Sequence, residues 1–278
     1  MKQYRLNRLF HPRSGRCFDV AVDHGVPGEP GFLAGIEDME AAIDTLVAAA
    51  PDAIQLSVGQ ADLLQRRAGR DKPALVLRTD TANIYGPEPP DEAWAVMIDD
   101  PVGHAVRLDA ACVVVNLLDV PGRPGLRRDC VEAIGRLRAA CDRAAMPLMV
   151  EPLAFDHGQA GYDTSGDADR ICGLVRQAVE LGADVIKADP TADLADYHRV
   201  VTVARVPVLA RGGGRVSDRE ILERTAAVLE QGAAGIVYGR NVIQHERPAA
   251  MTRALMSVVH DGATPEHALG ALAAAEPV

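Results

Sequence analysis

Lysine is almost missing from this sequence. Of its 29 Lys and Arg residues, only Lys2, Lys72 and Lys187 are lysine. A chain that writes arginine nearly everywhere keeps a lysine at 187, closing the apolar run ADVI (183–186). An amine can shed its proton and attack a carbonyl, whereas a guanidinium cannot. The same lysine can also be read as a packed stem whose head snorkels to solvent, and this stretch alone leaves both readings open.

Other absences narrow the field. There is no excess of basic charge: the net charge is −10, which argues against nucleic acid or an anionic membrane surface as the main partner. No apolar run approaches the roughly 20 residues that span a bilayer. The start, MKQYRLNRLFHPRSGR, is polar and lacks the apolar segment of a signal peptide, so the expected location is cytoplasmic. The five cysteines (17, 112, 130, 141 and 172) form no CxxC pair and read as reduced and structural. GxGxxG after the first strand, a P-loop, HExxH, HxxEH and GxSxG are all absent. Eight histidines are present without a close pair; His24, His157 and His245 are scattered, and no metal site is expected.

What is present is a repeat of short apolar runs and amphipathic stretches. The runs are CFDVAV (17–22), DAIQLSV (52–58), ALVLR (74–78), ACVVVNLL (111–118), PLMVE (147–151), DVIKA (184–188), VPVLAR (206–211) and AGIVYG (234–239). Continuous rather than alternating apolar runs suit parallel strands buried on both faces. Helix patterns cover 37–50, 130–145, 165–181 and 217–231, with Ser165 and Ser217 as N-cap candidates and Gly182 and Gly232 as stops. Eight strand–helix repeats in 278 residues predict an α/β fold, a single-domain (β/α)8 TIM barrel over 1–278. It carries a short N-terminal extension (1–16), read as a helix or plug at the base, and an Ala-rich C-terminal tail (262–278). The Pro-rich YGPEPPDE (85–92) is a loop after strand three.

In such a barrel the chemistry sits at the C-terminal ends of the strands, and every strand here ends in polar groups. They include Asp23 and His24, Arg78 and Asp80, Glu151, Lys187, Arg211 with Gly212-Gly213-Gly214-Arg215, and Gly239-Arg240. Three glycines let backbone amides approach an anion, and loops after strands seven and eight are a recurrent phosphate site of this fold. Arg215 or Arg240 can fork onto phosphate oxygens. Lys187 beside a phosphate site can meet the carbonyl of a sugar phosphate, and partial burial with nearby arginine charge would favour its neutral form. Glu151 and Asp23 are the candidate proton shuttles.

Asp23-His24-Gly25, Lys187 after GADVI, the GGG-Arg turn and GIVYGRNVIQH (235–245) resemble the class I (Schiff-base) aldolases. The archaeal-type fructose-bisphosphate, deoxyribose-phosphate and tagatose-bisphosphate enzymes are the nearest in pattern. The resemblance spans about residues 17–260. It implies that Lys187 forms the Schiff base, that Asp23 assists proton transfer and orients substrate hydroxyls, and that Gly213, Gly214, Arg215, Gly239 and Arg240 hold a phosphate. Archaeal-type enzymes place Tyr-Pro-Arg-Gly after strand five; here MVEPLAFDHG stands instead, closer to the Glu-Pro-Leu of the tagatose-bisphosphate enzymes, which carries the proton shuttle to Glu151. LRTDTANIYG matches neither pattern.

The expected function is a metal- and cofactor-independent aldolase. It would act on a phosphorylated ketose or keto-sugar acid through a lysine Schiff base, with dihydroxyacetone phosphate as one fragment and a homo-oligomer as the expected assembly. An imine-free phosphosugar isomerase or epimerase, a transaldolase-like carbon–carbon synthase, and a non-catalytic phosphosugar sensor remain as alternatives.

Overall fold

The computed structural model describes residues 2–69, 72–159 and 161–275. Eight parallel strands form its centre: β1 (Cys17–Ala21), β2 (Ala53–Ser57), β3 (Ala74–Arg78), β4 (Cys112–Asp119), β5 (Leu148–His157), β6 (Val185–Ala188), β7 (Val208–Arg211) and β8 (Gly235–Tyr238). Each pairs with the next, β4 with β5 completes the run, and β8 returns to β1 with Phe18 opposite Ile236, so the sheet closes as a single-domain TIM barrel. Closure is tight at that last seam. Gly235 sits at φ +142°, and a Cβ there would lie 1.9 Å from the Cys17 carbonyl oxygen, so only glycine fits.

A helix follows each strand: α1 (Met39–Ala49), α2 (Ala61–Gln65), α3 (Pro101–Arg107), α4 (Pro124–Ala144), α5 (Ala168–Glu180), α6 (Tyr197–Ala204), α7 (Asp218–Glu230) and α8 (Pro248–Met256). Local chemistry sets their ends. The side chains of Asp38, Asp167 and Ser217 accept from the amides of Ala41, Arg170 and Glu220, capping α1, α5 and α7. Gly182 and Gly232, at φ +93° and +97°, follow α5 and α7 in left-handed geometry. Two helix starts differ from the sequence reading. α4 begins at Pro124 rather than Cys130, because proline is at home in a first turn and Leu126 extends the buried stripe of Cys130, Ile134, Leu137 and Cys141. Ser165 does not cap α5; its hydroxyl accepts from the Asp167 amide, and Asp167 is the cap.

Strand alternation divides the core in two. Phe18, Val20, Ile54, Leu75, Leu77, Val113, Val150 and Ile186 point outward to the helices. Cys17, Ala21, Ala53, Val76, Cys112, Val114, Met149, Val185, Leu209 and Val237 fill the barrel, and Leu9 of the N-terminal segment packs beneath them. A short helix, Lys2–Leu6, precedes that segment. At the other end of the chain, Pro265–Ala274 forms a helix that buries Ala268 and Leu272; the tail residues 276–278, like Met1 of the extension, lie outside the described residues.

Two features overhang the C-terminal rim. The loop after β3 carries an antiparallel pair, Asp80–Ala82 with Ala95–Met97, that encloses the Pro-rich stretch. β5 runs six residues beyond Glu151 and turns back through Tyr162–Thr164, pairing Phe155 with Thr164.

Candidate active site

The inward series of each strand changes character at one level. Two residues beyond the apolar Ala53, Val76, Val114, Met149, Val185 and Leu209 stand Gln55, Arg78, Asn116, Glu151, Lys187 and Arg211, and two beyond Ala21 and Val237 stand Asp23 and Gly239. With a period of two, all eight belong to one ring at the throat. Above the throat opens a cavity of about 510 Å³, lined among others by Asp23, His24, Arg78, Glu151, Lys187 and Arg240.

Lys187 is buried, 4% exposed, and reaches inward rather than to solvent. Its Nζ lies 3.1 Å from Glu151 Oε2 and donates to Gln55 Oε1 at 3.3 Å. Gln55 in turn donates to Asp23 Oδ2 at 2.7 Å, so the amide links Lys187 to Asp23. Glu151 also accepts from Arg78 Nη2, and its Oε1 lies 3.1 Å from Arg211 Nε. Burial works against its charge, but Lys187, Arg78 and Arg211 outweigh it and hold Glu151 ionised, far below the usual carboxylate range. Asp23 is likewise buried, yet Arg78, Lys187 and His24 keep its carboxyl below the ordinary value.

The sequence places Arg78, Asp80 and Arg211 among the groups that contact substrate or phosphate; all three line the cavity, and each is also bound to protein partners. Arg78 donates to Asp23, Asp80, Asn116 and Glu151, using four of its five N–H groups. Asp80 accepts from Arg78 and from the Asn116 amide, and Arg211 donates to Asp189 at 2.8 Å. Buried carboxylates demand such partners, and these arginines supply them. Arg215 is exposed and outside the cavity wall.

The glycine turn does face the cavity, through Gly212, Gly213 and Gly214. Asn241 shapes it, donating from Nδ2 to the Gly212 and Gly214 carbonyls and accepting the Val216 amide at 3.0 Å. Among the described residues, the amides of Gly213 and Gly214 donate to nothing. Arg240 leans across the turn, its Nη2 on the Gly213 carbonyl at 3.2 Å and its guanidinium 5.0 Å from the Phe32 ring centroid. Gly239 lets His24 approach: a Cβ there would sit 2.1 Å from the imidazole Cε1. Burial, then the charges of Lys187, Arg240 and Arg211, push His24 down to about 4 against the pull of Asp23, so the ring is neutral. Its buried Nδ1 has no partner.

Around the mouth, His24, Phe32, Tyr85 and Phe155 contact edge to face in sequence, with centroids 6.1–6.2 Å apart. Glu29 and Asp163 also line the cavity. Among the described residues no group of three or more His, Cys, Asp and Glu gathers where it could hold a metal ion, and no helix is long and apolar enough to cross a membrane.

Gln55, Asn116, Asp189 and Asn241 stand among the polar strand ends of the sequence with no role assigned to them there, and the structure brings them, together with Tyr85, into this site. For Gln55 and Asn116 the signal exists: each stands two residues beyond an inward apolar position. Tyr85 arrives from a loop, and no periodicity announces it. Asp19, on β1, is the other omission. It is fully buried, and neither carboxyl oxygen has a hydrogen-bond partner.

The closed barrel gathers a buried lysine, a buried glutamate and a glycine turn over one cavity, and its similarity to known proteins places it among the aldolase-type lyases of the class I superfamily. The family model described as DeoC/LacD family aldolase matches residues 17–245, and the chain belongs to that family. It is 32% identical over 269 residues to the 2-amino-3,7-dideoxy-D-threo-hept-6-ulosonate synthase of Halobacterium salinarum, covering 96% of this chain and 95% of the relative. It is 31% identical to a 3-hydroxy-5-phosphonooxypentane-2,4-dione thiolase of Escherichia coli, over 96% and 84% of the two chains. The crystal structure of an archaeal fructose 1,6-bisphosphate aldolase superposes with a TM-score of 0.77 at 26% identity, over 94% of this chain and all of that one. Another, with its catalytic lysine covalently bound to the carbinolamine intermediate, gives 0.76 at 26%, over 93% and 99%.

The state of Asp19 generates a stability prediction. Burial pushes its carboxyl up to about 7, with Lys187 opposing. An acid raised on folding binds its proton more tightly in the native state, so its contribution is intact below the unfolded value and is lost as pH rises through about 7. Asp19→Asn removes that loss. The difference in Tm between variant and wild type should therefore grow in the variant's favour from pH 4 to pH 8, as read by calorimetry; a constant difference would contradict the assignment.

Proposed function

We propose that the protein is a class I aldolase that cleaves or forms a carbon–carbon bond in a ketose or keto-sugar acid carrying one phosphate, through a Schiff base on Lys187. The observation that carries this reading is a buried lysine nitrogen in contact with a carboxylate inside the cavity. The neutral amine adds to the substrate carbonyl, and the carbinolamine loses water to give a protonated imine. Electrons of the adjacent C–C bond then flow into the imine, leaving an enamine and an aldehyde. Glu151, within reach of the nitrogen, moves the protons of dehydration and of enamine protonation. Asp23, fixed by Arg78 and Gln55, takes the proton of the hydroxyl that becomes the aldehyde. The free amides of Gly213 and Gly214, with Arg240, take the phosphate, and dihydroxyacetone phosphate is the fragment assigned to the cavity they share with Lys187. Five free cysteines suit a reducing cytoplasm.

One phosphate rather than two follows from charge. Four cations line the cavity, Arg78, Lys187, Arg211 and Arg240, against five carboxylates, Asp23, Glu29, Asp80, Glu151 and Asp163. Among the described residues, Arg240 alone of the cations has no carboxylate partner, and Glu29 and Asp163 have no cation. The named substrate of the E. coli relative carries one phosphonooxy group, and that of the archaeal aldolases carries two phosphates. The unpaired carboxylates favour the first pattern, each disfavouring a nearby second phosphate by about 1–2 kcal/mol.

The Lys187–Glu151 ion pair is also what an imine-free isomerase or epimerase would show, with Glu151 and Asp23 as acid and base. Lys187→Arg separates the two. It keeps the charge and should lose on the order of 10³-fold in cleavage rate under the imine mechanism, whereas near-wild-type turnover would establish the isomerase reading. For the substrate, kcat/KM for a ketose 1-phosphate should exceed that for the matching 1,6-bisphosphate by about tenfold or more, and Glu29→Gln with Asp163→Asn should narrow the gap. A preference for the bisphosphate would refute the single-phosphate assignment.

A further inference from the structure

The Gly212 carbonyl is held by two side chains that stand outside the cavity wall. Arg224, on the second turn of α7, donates to it from Nη1 at 3.0 Å, and Asn241 donates from Nδ2 at 3.4 Å. Gly212, Gly213 and Gly214 line the cavity, whereas Arg224 and Asn241 do not. Behind the turn lies the seam between β8 and α7. A Cβ on Gly212 would lie 2.9 Å from Tyr238 Cδ1, and the Tyr238 hydroxyl meets Thr225 Oγ1 at 3.0 Å. Arg224 is itself oriented along the helix, with Nη2 on Glu220 Oε1 at 2.9 Å.

We propose that Arg224, together with Asn241, is a positioning residue for the anion site: from behind the glycine turn the pair draws the Gly212 carbonyl back and so aims the Gly213 amide at the substrate phosphate. This rests on the reading of that turn as the phosphate site. The link is the covalent geometry of one peptide unit. Among the described residues no peptide bond is cis, and in a trans peptide the C=O and the N–H point to opposite sides. A carbonyl drawn toward α7 therefore turns the N–H of the same unit, that of Gly213, away from α7 and toward the cavity. Among the described residues that N–H has no acceptor. The clamp is needed because both residues flanking this peptide are glycine, which restrains its rotation least. Asn241 extends the hold, donating to the Gly214 carbonyl at 3.1 Å and accepting from the Val216 amide at 3.0 Å. Arg240 approaches the same turn from the cavity side, at the Gly213 carbonyl. The turn is thus fixed from behind by donors that never meet the ligand, and its front is left to the anion.

Inorganic phosphate is the probe. Titrated by calorimetry, it should bind Arg224→Met about tenfold more weakly than wild type, the loss of one well-aimed donor to an anion. Arg224→Lys keeps a donor at similar reach and should recover most of that loss. Arg224→Gln, polar on a half-exposed helix face, repeats the test if the Met variant folds poorly. Covalent capture with borohydride gives a readout that a general loss of structure would not produce. The concentration of dihydroxyacetone phosphate for half-maximal labelling of Lys187 should rise about tenfold in Arg224→Met, while labelling by unphosphorylated dihydroxyacetone keeps its wild-type rate. Equal phosphate affinity in wild type and a folded Arg224 variant overturns the proposal, as does an equal loss of labelling with both ketones. In the first case the phosphate site itself still stands. Wild-type protein that binds no phosphate removes the site and its positioning residues together. The phosphate titration needs no imine, so an unlabelled Lys187 removes the Schiff-base reading and leaves the role of Arg224 to the titration.

Discussion

Glu151 is one buried carboxylate in contact with three cations, and the throat of the barrel is organised around it. Lys187 meets it from β6, Arg78 from β3 and Arg211 from β7. Each cation extends the network: Lys187 to Gln55, Arg78 to Asp23, Asp80 and Asn116, Arg211 to Asp189. Charges in such a place are tolerated only when paired and hydrogen-bonded, because desolvation otherwise outweighs attraction. The network therefore forms as a unit and fixes the Lys187 nitrogen from several strands at once. Losing one member leaves the rest uncompensated, and effects of substitutions within it are expected to be strongly non-additive.

The barrel below and the loops above play different parts. The throat residues stand on strands or, for Asp23 and Gly239, just past a strand's end, each at the first inward position beyond the apolar fill, and strands hold side chains rigidly. The mouth is made of loop residues: Glu29 and Phe32 after β1, Tyr85 after β3, Asp163 in the hairpin beyond β5. Loop variation over a constant barrel is how this architecture changes substrates. The relatives fit that division, since their names describe a synthase, a thiolase and a fructose 1,6-bisphosphate aldolase.

Much of this was legible in the residues. Continuous apolar runs located all eight strands because both faces of each are buried, and the chain's rare lysine at the end of β6 pointed to the throat. The fate of the arginines was not legible. Arg78 and Arg211 end strands just as phosphate-binding residues would, and only the three-dimensional proximity of Asp23, Glu151 and Asp189 shows that these arginines also hold buried carboxylates. The extension of β5 past Glu151 carries no sequence signal, because LAFDH lacks a clear period and its partner strand Tyr162–Thr164 is only three residues long. Asp19 was hidden inside CFDVAV, where a single polar letter in an apolar run looks like noise. Its meaning depends on alternation, which turns it inward.

The central claim, that the Lys187 nitrogen is a nucleophile facing the cavity, is tested most directly by covalent capture. Protein incubated with dihydroxyacetone phosphate and sodium borohydride is digested with trypsin and mapped by mass spectrometry. The account predicts a reduced adduct on the peptide containing Lys187 and none on those containing Lys2 or Lys72. An unmodified Lys187 peptide, or an adduct on either other lysine, would contradict it.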